Sequence, residues 1–302
     1  MLRWEPDLFV HLGDAVYADT RDSIQMRRTY EKASLNGPFK AVRERVPFLA
    51  TWDDHDYGAN DAGASYPMRE ASQSLFFDFW KEPASSERIG RPGVYGSRVI
   101  LRRDLTLRRD RIVRVLLLDT RFFRSDWTPD TISSRRYQPD PSPSKTMLGS
   151  QQWAWLESEL RKPADVRLIT SSIQVVNDEH GWESWGNFPA ERDRLLDLIR
   201  ETQAEGVVFA SGDRHFTELS SEKMAAYSVF YFTSSGLTQV ASLGHTVPNS
   251  KRIGEAVNVQ NFGGVTIDFE SGALTFHAFD DSGQVAFQHT IPLVTLTFPD
   301  TK

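Results

Sequence analysis

The stretch Val46–Asp61, "VPFLATWDDHDYGAND", passes from an apolar run directly into a dense cluster of ionisable groups. Asp53, Asp54, His55, Asp56 and Asp61 cannot all point into a hydrophobic core, because burying unpaired charge is costly. An apolar run of this length followed by a polar turn has the form of a buried parallel strand, with its carboxyl end delivering side chains to a crevice. Four other runs have the same form: "DLFVHLG" (7–13), "IVRVLLLD" (112–119), "VRLITSSIQVV" (166–176) and "GVVFASG" (206–212). Helical periodicity falls between them, over 22–35, 68–82, 150–162 and 189–206. The last of these opens on Pro189 and stops at Gly206, both favoured at those positions. Strands alternating with helices predict a largely parallel sheet covered by helices. The last third alternates apolar and polar residues with "ESG" and "DSG" between runs, which predicts antiparallel hairpins. Segment 125–146 is polar and proline-rich and is expected to be a long surface loop.

Composition narrows the function classes. The chain has 302 residues, a net charge of -6 and no cysteine. The charge argues against nucleic acid as the main partner. The lack of cysteine excludes disulfides and thiolate metal sites, so any metal is held by oxygen or imidazole. No run of apolar residues reaches the length of a membrane span, and "MLRWEPDLFVHLGD" lacks the tripartite pattern of a secretory leader. No linker divides the chain, so residues 1–302 are expected to form one domain.

The strand ends carry "GDAVYAD", "WDDHD", "DTRFFR" and "GDRHFTE". This brings Asp14, Asp54, His55, Arg121, Asp213 and His215 to one crevice. Facing carboxylates repel unless they are protonated or bind a cation. Two hard cations ~3.5–4 Å apart sharing a bridging carboxylate resolve that repulsion and activate water against a phosphoryl group. The planar fork of Arg121 suits phosphate oxygens, or alternatively a pair with Asp119 or another carboxylate. Taken singly, Asp14 also suits a helix cap, Asp54 and His55 suit a solvated loop, and His215 suits a core. Asp53 and Asp56 suit loop fixing.

Together the stretches "PDLFVHLGDAVYADT" (6–20), "PFLATWDDHDYGANDAG" (47–63), "LLLDTRFFRS" (116–125), "TMLGSQQWAWLESEL" (146–160), "FASGDRHFTEL" (209–219) and "YFTSSGLTQ" (231–239) resemble, in order, the PhoD-like alkaline phosphatase/phosphodiesterase family of calcineurin-like metallophosphoesterases. The resemblance implies an α/β, four-layer αββα sandwich with two central mixed sheets flanked by helices. It also implies two metal ions, Fe with Ca or another divalent ion such as Mn, Mg or Zn. Asp14 then bridges the metals and Tyr17 is a phenolate ligand. Asp54 binds the second metal, and Asp213 and His215 close the two sites. His55 lies over the phosphate and serves the leaving group, and Arg121 contacts the phosphate. The substrate is a small phosphate monoester or diester, and members of the family are often exported.

Members of the family open with a strand ending near Gly-Ser-Cys, whose cysteine is a metal ligand; this chain has neither. The chain is therefore expected to be a truncated form of a longer protein, with an edge through which it can dimerise. Two other functions compete with the esterase. One is a metal- or phosphate-binding relative with weakened turnover. The other is a glycosidase using two of the carboxylates, whose activity survives chelation.

Overall fold

The computed structural model describes residues 1–104, 107–224, 227–241 and 244–299. Its first half places β1 (Phe9–Leu12), α1 (Ser23–Ser34), α2 (Gly37–Arg45), β2 (Phe48–Thr51), α3 (Asp54–Tyr57) and α4 (Arg69–Trp80) in chain order. Then come β3 (Gly96–Asp104), β4 (Arg109–Leu117), α5 (Gly149–Leu160), β5 (Val166–Ser171), α6 (Pro189–Glu201) and β6 (Val207–Ser211). Apart from two short 3-10 turns, the rest of the described chain contributes strands: β7 (Thr217–Lys223), β8 (Ser228–Ser234), β9 (Arg252–Val257), β10 (Asn261–Asp268), β11 (Ala273–Asp280) and β12 (Val285–Pro292).

Seven strands form the main sheet in the order β3-β4-β5-β6-β8-β7-β9. Its centre, β4, β5, β6 and β8, is parallel, as the apolar runs predict for β4, β5 and β6; β8, expected among antiparallel strands, pairs parallel with β6 and antiparallel with β7, and the margins are antiparallel. Helices α5 and α6 cover one face, where Trp153, Leu156, Leu195 and Ile199 bury against Leu116, Ile169 and Phe209. Strands β10, β11 and β12 form an antiparallel sheet. It covers the other face through Leu274, Phe276 and Ile291 against Val166, Val208 and Phe230. Strands β1 and β2 pair in parallel with Leu12 opposite Thr51. A third core joins α1 and α4 to β2, with Met26, Leu75, Phe76 and Trp80 around Ala50 and Trp52. The expected mixed α/β sandwich is thus present, with its strands hydrogen-bonded as three sheets.

Local chemistry fixes the parts that carry the site. Asp22 caps α1 by accepting from the backbone of Ile24 at 2.8 Å. Asp56 makes the turn after β2, accepting from Asp53 N at 2.6 Å and from Ala15 N at 3.2 Å. Gly13, at φ 109°, ends β1 where a Cβ would come within 2.4 Å of the Asp53 Cβ. The run 166–176 stops being strand at Ser171, because Ser172 turns inward to bond Asp53 and Thr120. Segment 125–146 has no helix or long strand; it carries an isolated bridge between Pro129 and Tyr137 and buries Trp127. Among the described residues, no helix is long and apolar enough to cross a membrane.

Candidate metal centre

Three strand ends meet in one acidic crevice. Asp14 follows β1, Asp54 and His55 begin the short helix after β2, and Asp213 and His215 follow β6. The backbone N–H of His55 faces two carboxylates, donating to Asp54 Oδ1 at 2.9 Å and lying 3.3 Å from Asp14 Oδ1. Donor atoms of Asp14, Asp54 and His55 lie within 4.8 Å of one another, and so do those of Asp53, Asp54 and Glu183. From the other side, the Tyr17 hydroxyl reaches His215 Nε2 at 3.1 Å. Its ring lies against that of His55, with centroids 4.3 Å apart.

The backbone bends hard to make this meeting. Asp14, Asp213 and His215 all take left-handed φ values, of 56°, 65° and 59°. Each such non-glycine residue costs on the order of 1 kcal/mol, and such residues cluster where function demands a particular side-chain direction. Asp and His are also among the types that tolerate this region best.

A family model described as PhoD-like phosphatase matches residues 106–288. The chain belongs to the PhoD-like phosphatase family. Alkaline phosphatase D of Bacillus subtilis (strain 168) is 24% identical over 249 residues, which cover 71% of this chain and 42% of that protein. The chain therefore spans less than half the length of this curated relative. A solved structure described as "Structure of PhoD" superposes with a TM-score of 0.74 at 17% identity, covering 98% of this chain and 66% of that one. GAP50, described as the anchor in the inner membrane complex of Plasmodium, superposes with a TM-score of 0.62 at 13% identity, covering 99% and 81%. At such identities the structural likeness concerns the fold alone.

The electrostatics of this PhoD-like chain point to a cation. Burial, then the carboxylates of Asp53, Asp54, Asp56 and Asp213, hold the Asp14 carboxyl well above the usual range. Burial pushes Asp213 up to about 7, against the pull of Arg214 and with a further push from Glu183 and Asp54. The Tyr17 phenol is likewise raised, by burial and then by Asp14. In each case burial comes first and neighbouring carboxylates add to it, and the nearby Arg214 offsets only part of the rise at Asp213. The donors are carboxylate, imidazole and phenol, a set matched to hard or borderline cations. Buried Asp53 Oδ2 has no hydrogen-bond partner among the described residues. The residues present therefore fit a metal centre.

Arg121 requires a correction. It is 0% exposed and does not line the open crevice. Its Nε donates to Asp53 Oδ1 at 2.6 Å and its Nη1 to Glu183 Oε2 at 2.8 Å, while Nη2 bonds both carboxylates. Its fork is filled by protein carboxylates, so it is no direct phosphate contact. The partners are Asp53 and Glu183; Asp119 instead accepts the backbone N–H groups of Arg121 and Phe122, both at 2.9 Å.

Several neighbours lie outside the motif-based set. Asp19 holds His55 Nδ1 with both carboxylate oxygens at 2.8 Å. Asp61 N donates to Asp54 Oδ2 at 2.6 Å. Glu183, 3% exposed, also accepts from Trp127 Nε1 at 2.8 Å. Only an acidic residue in the loop after a strand end signalled it in the sequence. Trp185 and Asn187, in the loop between β5 and α6, are buried; Trp185 Nε1 donates to Ser171 Oγ at 3.0 Å and Asn187 caps its own turn.

Proposed function

We propose that residues 1–302 form one metal-dependent hydrolase domain acting on phosphate esters, diester or monoester. The observation that carries this reading is the convergence of Asp14, Asp54 and His55 donor atoms within 4.8 Å of one another, in a chain of the PhoD-like phosphatase family. Asp14, Tyr17, Asp54, Asp213 and His215 would hold two cations, Fe with Ca or another divalent ion. When bound, such cations supply Lewis acidity to a phosphoryl oxygen and make water a nucleophile near neutral pH.

The chain's own residues do the rest. Asp14, just after β1 and beside the start of the helix after β2, would hold cations with its carboxylate. Asp54 is held by the N–H groups of His55 and Asp61, so its oxygens are fixed before any ligand arrives. Asp19 occupies His55 Nδ1, which leaves Nε2 to pass a proton to the departing oxygen. Arg121 positions Asp53 and Glu183 behind this layer.

The test is hydrolysis of bis(p-nitrophenyl) phosphate and p-nitrophenyl phosphate by the purified protein, before and after complete chelation and after resupply of iron and calcium. Loss on chelation and recovery on resupply are expected. Hydrolysis that survives metal removal, or its absence in fully resupplied protein, overturns the reading.

A further inference from the structure

Trp182 stands out among the eight tryptophans of the chain. It is 49% exposed, whereas the others are buried or partly buried. Its chain neighbour Glu183 turns inward to the Asp53–Asp54 group, so the indole faces out from the rim of the candidate centre.

Two guanidinium groups flank it. Arg136 Cζ lies 5.8 Å and Arg214 Cζ 6.0 Å from the ring centroid. Both tie back to the centre: Arg136 Nη2 pairs with Asp61 Oδ2 at 2.7 Å, and Arg214 sits between Asp213 and His215, 3.5 Å from Asp213 Oδ2. Neither seals the ring. Elsewhere Arg91 stacks on Tyr95 at 4.0 Å and Arg124 on Trp127 at 4.1 Å, whereas the flanking pair stands off by almost 2 Å more. The loop under the indole is fixed. Gly181 O accepts from the backbone of Arg136 and Tyr137 at 2.9 and 3.1 Å, and Trp182 N donates to His180 Nδ1 at 3.0 Å.

We propose that Trp182, flanked by Arg136 and Arg214, is the platform that takes an aromatic arm of the phosphate ester, such as an aryl or nucleoside group. This rests on the phosphoester reading above and adds the substrate class. An indole face accepts any planar ring, and stacking on it is tolerant of the ring's identity. Arg136 and Arg214, paired with Asp61 and Asp213, connect the indole to the candidate centre, as a phosphate joined to a ring through a short spacer requires.

Calorimetric titration of the protein resupplied with iron and calcium tests this, using butylphosphonate and 4-phenylbutylphosphonate. Neither ligand can be hydrolysed, and they differ only by the ring. The phenyl ligand is expected to bind about tenfold more tightly. In Trp182→Ala that ratio should fall to near one with butylphosphonate unaffected, and Trp182→Phe should retain most of it. An unchanged ratio in Trp182→Ala, a ratio near one in the parent, or equal weakening of both ligands overturns the platform alone. Binding of neither phosphonate by the parent overturns the phosphoester reading, and the platform with it.

Discussion

The Tyr17 hydroxyl lies 3.1 Å from His215 Nε2, although 198 residues separate them in sequence. The contact joins the loop after β1 to the end of β6. Burial first and then Asp14 raise the pKa of this phenol, so its proton passes to a base only when a cation would take its place on the oxygen. Protein resupplied with ferric iron is therefore expected to show a visible phenolate-to-iron charge-transfer band. Tyr17→Phe should abolish that band while remaining folded; a band that persists removes Tyr17 from the ligand set.

Asp14 and Asp213 supply anionic oxygen where the strand ends meet. Asp14→Asn and Asp213→Asn are each expected to lower turnover of a phosphodiester at least ~100-fold, the scale for loss of an essential metal-site group. Steady-state rates of the folded variants check this, and near-parent turnover in either would exclude the two-cation site.

The same carboxylates give the metal-free protein a specific pH response. Asp56 and Asp213 are both pushed up to about 7 in the folded protein by burial, against about 3.9 when unfolded. A raised folded pKa contributes stability that is complete below the unfolded value and is lost as pH rises through the folded one. The melting temperature in chelator should fall between about pH 5 and about pH 8. Glu183, held down at about 2 chiefly by Arg121 against its burial, acts with the opposite sign, but only in acid. Asp213→Asn should flatten the decline, and so should iron and calcium. A melting temperature that rises over this range in chelator contradicts the assignment.

If His55 protonates the leaving oxygen, His55→Ala should slow alkyl esters far more than p-nitrophenyl esters, which depart readily as anions. Asp19→Asn, which weakens the hold on Nδ1, should show the same leaving-group bias with a loss of roughly tenfold. Equal losses across leaving groups in both variants would place His55 on the metals or the phosphate.

Arg121 is a stability residue in this structure. Arg121→Ala leaves Asp53 and Glu183 buried and facing each other without a counter-charge. Breaking a buried ion pair from one side costs about 3–5 kcal/mol. Urea denaturation of the metal-free protein at neutral pH is the measurement; a loss under about 1 kcal/mol would show that water or proton uptake replaces the guanidinium.

What the sequence makes legible follows from burial. Strands β4, β5 and β6 are covered on both faces, so they read as continuous apolar runs. Helices α1, α4, α5 and α6 each press one stripe on a core. Strand β3 is at the sheet edge with most of its residues exposed and no alternation in burial, and its arginines mask any apolar pattern. Strand β9, "RIGEAV", is at the opposite edge and is polar for the same reason, whereas β7, "TELSSEK", lies inside the sheet with polar side chains that are buried and paired, Glu218 with Gln174 and Arg252, and Thr217 with Asn261. In the crevice, Asp14, Asp54 and Asp213 are visible because each follows a strand. Glu183 is not, because its partner Arg121 is 62 residues away and nothing periodic links them. Nor does the spelling "DTRFFR" distinguish an arginine that meets a ligand from one enclosed by two acids.

Gly13 decides something no ligand residue can. A methyl group there would run into Asp53 at 2.4 Å, so the ends of β1 and β2 touch main chain to main chain. The gauge of the crevice is accordingly set by an atom the chain does not have. Exchanging Asp14 or Asp54 changes a donor on a frame of constant width. Gly13→Ala would wedge the frame itself, moving both carboxylates apart with every side chain chemically intact. A protein engineer seeking a different ion would therefore find donor swaps a coarse control and this contact a fine one.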